Sequence, residues 1–485
     1  MAKVKAWTTG EVGEPRFPDA FEVVKKAVLQ VTDIKTNRNK YYALELHAAL
    51  EDGQERYRVY THYGRTDDLE VNPDAGQKEC RYFEAKWEAE ASYESIYRQK
   101  TSASKGYKEV ALASSKIGSE RARGTGVGEI DARTLERMAQ PKGADGTNDP
   151  APAPPVSKIH AGVQELVRYI YDEAKVALTS TVAAKITAHG IETPLGILTL
   201  GQIEKGETIL TGLYGLFQEQ KETRRDDEML RLSGEFYTAI PHRIGRSRAA
   251  VEAAVINTLE AFEQKQQTLQ LMKDMLQVNG EGGNVLFDAR ADQEFDALRC
   301  RVDWIEPGCS EFKEMADHVV NSQVKSKTIK VKNLYRICRE HEWGQFTEGI
   351  GNQRLLFHGS RIQNWVGILS RGILLPKIVI SMGVHRTDAG WLGHGIYFGD
   401  AACTSLFYTT PGKRKTRLMA IARVALGKMK EYTKITYGLN APPPGYDSCH
   451  GVRARMLRPS QFADDEYVVY DVRQQRLEYL VEFAA

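Results

Sequence analysis

Gly393-His-Gly-Ile-Tyr-Phe-Gly-Asp400 is the stretch on which the reading of this chain turns. Upstream of it lies Leu355-Leu-Phe-His-Gly-Ser-Arg361, and downstream Asp464-Asp-Glu-Tyr-Val-Val-Tyr-Asp471. Ser405 and Tyr408 follow close behind the first stretch. Taken singly, each has an ordinary explanation. A histidine such as His358 at a strand end is usually a structural hydrogen bonder. Tyr397 and Tyr408 read as core aromatics. Glu466, beside two aspartates, reads as a solvated edge charge.

Outward from these stretches the chain divides by pattern. From about residue 285 helical and β-rich runs mix, with Leu418–Leu426 and Tyr467–Tyr470 as strand segments, so this region is α+β. Before it, Val163, Leu166, Val167 and Ile170 form one helical stripe. Thr199-Leu-Gly-Gln202 has the form of a capping box opening the next helix, and Ile203, Leu210, Leu213 and Phe217 continue along one side. Val251–Val278 reads as a further long helix stopped at Asn279-Gly-Glu-Gly-Gly. Residues 141–155 hold five of the seventeen prolines among small polar residues, the composition of a linker. Ahead of it, Tyr42, Leu44 and Leu46 alternate at strand period, as do Tyr57, Val59 and Thr61. Ala85, Ala89, Tyr93 and Tyr97 fall on one helix face. The expected fold is multidomain α+β. A small β-sheet with one helix spans 1–118, and a flexible Pro/Gly-rich linker 119–157. An all-α bundle spans 158–284 and an α+β unit 285–485. No internal repeat is visible.

Length and composition agree. The 485 residues suggest about three domains at roughly 150 residues each. With 42% hydrophobic and 27% charged residues the chain has the make-up of a soluble protein. A net charge of +2 imposes no global field toward nucleic acid, so such a partner would need a local basic patch. No apolar run is long enough to span a membrane, and no secretory leader follows Met1-Ala-Lys-Val-Lys. The six cysteines are scattered, so disulfides and metal sites are not expected and an intracellular setting is.

Together and in order, the three stretches resemble the His–Tyr–Glu catalytic domain of the poly(ADP-ribose) polymerases. Gly367-Ile-Leu-Ser-Arg-Gly372 and Val424-Ala-Leu-Gly427 belong to the same ordered set, which covers about 200 residues. The resemblance implies NAD as substrate and His358, Tyr397 and Glu466 as catalytic residues. The nicotinamide ring would stack on Tyr397 and Tyr408, as a cationic ring does on aromatic faces. Gly359 backbone groups and the Ser405 hydroxyl would bind its carboxamide, and His358 and Ser360 the adenosine ribose. Glu466 would stabilise the oxocarbenium-like transition state and serve the attacking hydroxyl. Its being a glutamate allows chain elongation. Three positions depart from the family pattern: Leu374, Gly390 and His394.

The helical segment resembles the regulatory domain of the DNA-dependent members, through Pro194-Leu-Gly-Ile-Leu-Thr199 and Leu232-Ser-Gly-Glu-Phe-Tyr-Thr-Ala-Ile-Pro-His242. The N-terminal domain resembles a WGR domain, with Tyr63-Gly64-Arg65 in place of the name motif. This implies DNA ends or nicks with a 5′ phosphate as partner, with Tyr63 stacking on a base and Arg65 contacting DNA or signalling between domains. Lys100, Lys105, Lys108 and Lys116 are candidate phosphate contacts. Expected partners also include protein acceptors, the chain itself among them, but no membrane. The expected setting is nuclear in a eukaryote, or the nucleoid-associated cytoplasm of a bacterium. A mono-ADP-ribosyltransferase and a DNA-end-binding scaffold with weak transferase activity are the alternatives. A dinucleotide oxidoreductase is excluded, because Gly124-Thr-Gly-Val-Gly128 is not GxGxxG and follows no apolar strand.

Overall fold

The computed structural model describes residues 4–126, 159–182, 184–187, 190–218, 225–242, 244, 247–281, 295–324, 328–375 and 390–485. The Pro-rich stretch at 141–155 and the residues around 285 lie outside these. The chain divides into two units, one of residues 1–148 and 178–276 and one of residues 149–177 and 277–485.

In the first unit, short β1 (Trp7–Thr8) is followed by the long strands β2 (Phe21–Asp33), β3 (Arg38–Glu51) and β4 (Gln54–Arg65). After β5 (Gln77–Phe83) come helix α1 (Lys86–Thr101) and strands β6 (Lys108–Glu109) and β7 (Leu112–Ser115). The sheet runs β1-β5-β4-β3-β2-β6, antiparallel throughout. One face is the expected one: Leu29, Tyr42, Leu44, Leu46, Tyr57 and Val59 pack with Ala89 and Tyr93 of α1. The opposite face is buried too, and carries Tyr41, Glu45, His47 and His62. Alternation along the strands therefore separates two buried faces, an apolar one and a polar one. The segment after β7 covers the polar face and satisfies its buried carboxylate. Ser119 donates through its backbone N–H at 3.1 Å and its hydroxyl at 2.6 Å to Glu45, which also bonds His47 at 2.7 Å.

Helix α2 (Ala161–Thr181) begins in the second unit and ends in the first. It buries Val163, Leu166, Val167 and Ile170 as the stripe predicts. The rest of the helical segment is not all-α. Strands β8 (Lys185–Thr187), β9 (Gly190–Glu192) and β10 (Gly196–Leu198) pair onward to β7, giving a four-stranded sheet β7-β10-β9-β8. Helices α3 (Leu200–Gln218), α4 (Arg225–Ala239), α5 (Arg248–Ala253) and α6 (Leu259–Glu281) follow. The capping box at Thr199 is half formed. Its hydroxyl accepts from Gln202 N at 3.2 Å, but the Gln202 amide instead bonds Ala239 O at 3.1 Å and Ala111 N at 3.1 Å. The single helix expected over Val251–Val278 is broken between α5 and α6. There Ile256 N is taken by Ser233 Oγ at 3.1 Å, and Thr258 Oγ1 caps the new helix at Ala261 N, 3.2 Å.

The second unit is built on one sheet of strands β11 (Arg301–Ile305), β12 (Lys330–Cys338), β13 (Gln353–Gly359), β14 (Ile396–Gly399), β15 (Arg417–Ala425), β16 (Met429–Tyr432), β17 (Ser448–Gly451), β18 (Glu466–Val469) and β19 (Gln475–Ala484). Its order is β11-β12-β19-β15-β13-β14-β18-β17-β16, all antiparallel except the β16–β17 pair. Helix α7 (Ser310–Asn321) packs Met315 and Val319 onto Phe357, Met419, Ile421, Val481 and Phe483. Helices α8 (Glu340–Gln345), α9 (Trp365–Arg371) and α10 (Ala402–Leu406) are short. All six cysteines are free. Among the described residues no helix is long and apolar enough to cross a membrane, and no cluster of His, Cys, Asp or Glu could hold a metal.

Candidate functional site

The three stretches converge at the centre of this sheet. Strand β13 ends on His358 and Gly359, β14 carries Tyr397, and β18 opens with Glu466. Phe357 faces Gly399 across one ladder, and Gly399 faces Glu466 across the next. The sequence separation of more than a hundred residues thus collapses to two strand spacings, about 10 Å.

Each group is held in a definite state. His358 Nδ1 lies 3.0 Å from the Tyr397 carbonyl, which can only accept, so Nδ1 carries the proton and Nε2 presents a lone pair. Burial pushes its pKa below the usual histidine value, keeping the ring neutral. The Tyr397 hydroxyl donates to Gly393 O at 2.8 Å and accepts from Leu392 N at 2.9 Å. With its hydroxyl tied into the 392–393 turn, the tyrosine has only its ring left to offer a ligand. Tyr408 is 59% exposed, so a ring face is open for stacking. Ser360 Oγ accepts from Asn364 Nδ2 at 3.0 Å and retains its own proton to donate.

Gly359 has a structural requirement besides the expected approach of a cofactor. A β-carbon there would lie 2.0 Å from Ser405 O and 3.1 Å from Thr409 Cγ2. Only glycine lets α10, with buried Ser405 and nearby Tyr408, sit directly on the end of β13. The departure at Gly390 has a similar cause. Its φ is +55°, and a β-carbon would fall 2.1 Å from the Tyr397 hydroxyl. A side chain at 390 has no room while Tyr397 keeps its turn contacts. His394 is 2% exposed and its backbone N–H donates to Leu439 O at 2.7 Å, so it lies inside the fold. Leu374 is half-buried.

Glu466 is not a solvated edge charge. Burial, and secondarily the charge of Asp464, raise its carboxyl to about 7. Its carboxylate makes no hydrogen bond or ion pair among the described residues, whereas that of the adjacent Asp465 is engaged. Asp465 accepts from His450 Nε2 at 2.8 Å and Arg453 N at 3.0 Å, and Arg453 reaches Asp400 at 3.3 Å. This buried ion network was not foreseen. Its members are scattered along the sequence, and only the Asp464-Asp465 pair hinted at it.

The N-terminal candidates are more committed than the sequence suggests. Tyr63 stacks on Tyr42 with centroids 5.3 Å apart, and its hydroxyl donates to Glu79 at 2.6 Å. Arg65 pairs with Asp67 at 3.0 Å and donates to Asn37 O at 3.3 Å. Gly64 allows close approach of Gly76, 3.1 Å from where a β-carbon would be. Lys116 is ion-paired with Glu192. Lys100 lies over the Tyr42 ring at 4.0 Å, with Tyr63 and Tyr107 also within 6 Å. Lys105 and Lys108 are exposed.

Residues 309–457 match the poly(ADP-ribose) polymerase catalytic domain, residues 157–280 the regulatory domain of the same polymerases, and residues 25–113 the WGR domain. The catalytic match ends before Glu466, whose place rests on the β14–β18 register. The chain is 34% identical over 329 residues to the human protein mono-ADP-ribosyltransferase PARP4, covering 68% of this chain and 18% of that one. It is 24% identical over 490 residues to the Drosophila melanogaster poly [ADP-ribose] polymerase, with coverages of 93% and 45%. With the Arabidopsis thaliana poly [ADP-ribose] polymerase 2 it shares 25% over 506 residues, with coverages of 95% and 73%. The chain therefore spans less than a fifth of the human PARP4 relative and under half of the Drosophila one.

Proposed function

The chain belongs to the poly(ADP-ribose) polymerase family, and from that premise we propose that it cleaves the nicotinamide–ribose bond of NAD and transfers ADP-ribose to protein acceptors. The observation that carries this is the convergence of a neutral His358, the turn-anchored Tyr397 and an unpaired, half-buried Glu466 on three adjacent strands. Tyr397 and Tyr408 hold the cationic ring between aromatic surfaces. His358 Nε2 accepts from a ribose hydroxyl, and Ser360 donates to one. As the glycosidic bond lengthens, positive charge grows on the ribose and the Glu466 carboxylate stabilises it. The same carboxylate then takes the proton of the attacking group.

Product length has two readings. A glutamate at 466 is compatible with polymer elongation, but the relative at 34% identity is named a mono-ADP-ribosyltransferase. That name favours single-unit transfer. Pure protein incubated with labelled NAD decides between them: a ladder on denaturing gels means polymer, one discrete shift means single transfer, and no nicotinamide release at all overturns the reading.

Control by DNA is the finer part of the proposal, supported by the WGR match at residues 25–113. Activity is expected to be low alone and raised at least about tenfold by a nicked duplex bearing a 5′ phosphate, a coupling of about 1.4 kcal/mol or more. Arg65→Ala should remove most of that stimulation, and binding should weaken steeply with salt. Equal rates with and without the duplex would sink DNA control and leave transfer standing.

The state of Glu466 predicts a pH profile. The working form is the carboxylate, and its pKa stands near 7. For the free enzyme kcat/KM should fall about tenfold per pH unit below pH 7 and level off above it. A bound nicotinamide cation lowers the pKa, so the kcat profile should break at lower pH. A kcat/KM independent of pH between 5.5 and 7.5 would contradict the burial argument.

Tyr408→Ala should weaken benzamide, a nicotinamide mimic, by about five- to thirtyfold, since a ring face is worth about 1–2 kcal/mol to a stacked partner. Calorimetry reads it directly. Unchanged affinity would place the pocket elsewhere.

A further inference from the structure

Tyr408, one of the two rings assigned to nicotinamide, is not held in place by burial. It is 59% exposed, and Phe407 beside it is 81% exposed. Whatever fixes the ring must act through the backbone on either side, where Ser405 and Thr409 are both buried. On one side the Ser405 carbonyl lies against Gly359. On the other the chain leaves α10 in a tight turn, with Tyr408 N donating to Ser405 O at 3.2 Å and Thr409 N to Leu406 O at 3.0 Å. The Thr409 hydroxyl donates to the same Leu406 carbonyl at 2.8 Å. From the start of β15, Arg417 Nη1 then donates to the Thr409 carbonyl and, at 3.2 Å, to the Thr409 hydroxyl. Among the described residues Arg417 has no carboxylate partner, and its side-chain hydrogen bonds go to Thr409 alone. The base from which it reaches is rigid. Arg417 pairs with Phe483 across the β15–β19 ladder. Thr416 before it donates through its hydroxyl to buried Glu482 at 2.6 Å, and Glu482 also accepts from Asn333 at 2.8 Å. Thr416 O takes Gly412 N at 3.0 Å, closing the loop that returns from Thr409.

We propose that Arg417 is a positioning residue for the nicotinamide site, gripping Thr409 and thereby setting the ring of Tyr408 against its ligand; this rests on the transferase reading above. The chemistry suits the task. A guanidinium stays charged at any working pH and carries its donors in a fixed plane, so the grip does not come and go with protonation. The carbonyl it takes lies just past the C-terminal end of α10, where helix carbonyls lack partners and a cation is favoured. Without Arg417 the segment 407–408 would keep its local turn bonds but lose the bond that ties it to β15.

The test uses the full chain. Arg417→Met keeps an apolar stem and removes the donors. It should weaken benzamide by about fivefold or more and raise the KM for NAD by a similar factor, with kcat changed less than about threefold. Arg417→Lys, which restores a charged donor, should bind benzamide more tightly than Arg417→Met does. The deciding measurement is a double-mutant cycle. In a Tyr408→Ala background, Arg417→Met should change benzamide affinity less than about twofold, because the ring that it places is gone. An arginine that only supported the fold would cost the same factor in both backgrounds. Equal losses in the two backgrounds, unaltered benzamide affinity in Arg417→Met, a lysine variant no better than the methionine one, or loss of cooperative melting overturns the proposal. So does a loss confined to NAD: benzamide has no phosphate, and such a loss would make Arg417 a phosphate contact instead. Absence of both benzamide binding and nicotinamide release in the unmodified chain would strike the transferase reading, so the two failures are separable.

Discussion

Glu466→Gln should lower ADP-ribosyl transfer by about two to four orders of magnitude while leaving the fold and benzamide affinity intact. The substitution keeps size and shape and removes a charge. In the ground state that charge does little for the protein, since the carboxylate makes no hydrogen bond or ion pair among the described residues and burial opposes its ionisation. In the proposed reaction its worth lies in the transition state, where positive charge develops on the ribose and a proton must leave the attacking hydroxyl. Loss of a positioned acid–base group costs about 10²–10⁴ in rate, and loss of the electrostatic term acts in the same direction. Because glutamine relieves a half-buried charge, the melting temperature above pH 7 should hold or rise. The sign follows from the raised pKa: the unfolded carboxyl ionises near its ordinary value, the folded one only near 7, so stability is lost as pH rises through 7. Initial rates of nicotinamide release, with calorimetry of benzamide, check both halves. A rate within tenfold of the unmodified chain would remove Glu466 from its assigned role.

Gly359→Ala should cost benzamide binding about ten- to a hundredfold, from a change of one methyl group. The β-carbon would lie 2.0 Å from the Ser405 carbonyl oxygen and 2.9 Å from its carbon, both backbone. Either α10 lifts from the end of β13, carrying Ser405 and Tyr408 with it, or the strand end retreats and takes His358 out of line. Forced overpacking of this kind costs about 1–3 kcal/mol, and here the strain falls on the elements that form the pocket. Lower melting temperature and lower affinity should appear together. Affinity within twofold of the unmodified chain would show that the pocket does not depend on this close approach.

The proposed catalytic set could be named from the sequence because its chemistry is local. His358-Gly-Ser, Gly395-Ile-Tyr-Phe-Gly and Glu466-Tyr-Val-Val each sit in a short motif, and strand or helix period marks the elements around them. The stripe of α2, the apolar face over α1 and the N-cap at Thr199 were legible for the same reason, each being set by residues within a turn or two. What the sequence withheld is non-local. Pairing of β7 with β10 joins residues more than eighty positions apart, and it turns part of an expected all-α bundle into a sheet. Gln202 abandons its capping box for Ala111 and Ala239, and a hydroxyl from Ser233 breaks the helix expected through Ile256. Alternation in β2–β4 announces two faces but not that a later segment buries the polar one through Glu45 and Ser119. The amino-acid sequence by itself determined which residues were candidates to bind and cleave a dinucleotide, since that candidacy depends on their chemical types in order. Only the tertiary structure decided their states, because a proton on His358, an open ring on Tyr408 and an unpaired carboxylate on Glu466 are set by burial and by neighbours far away along the chain.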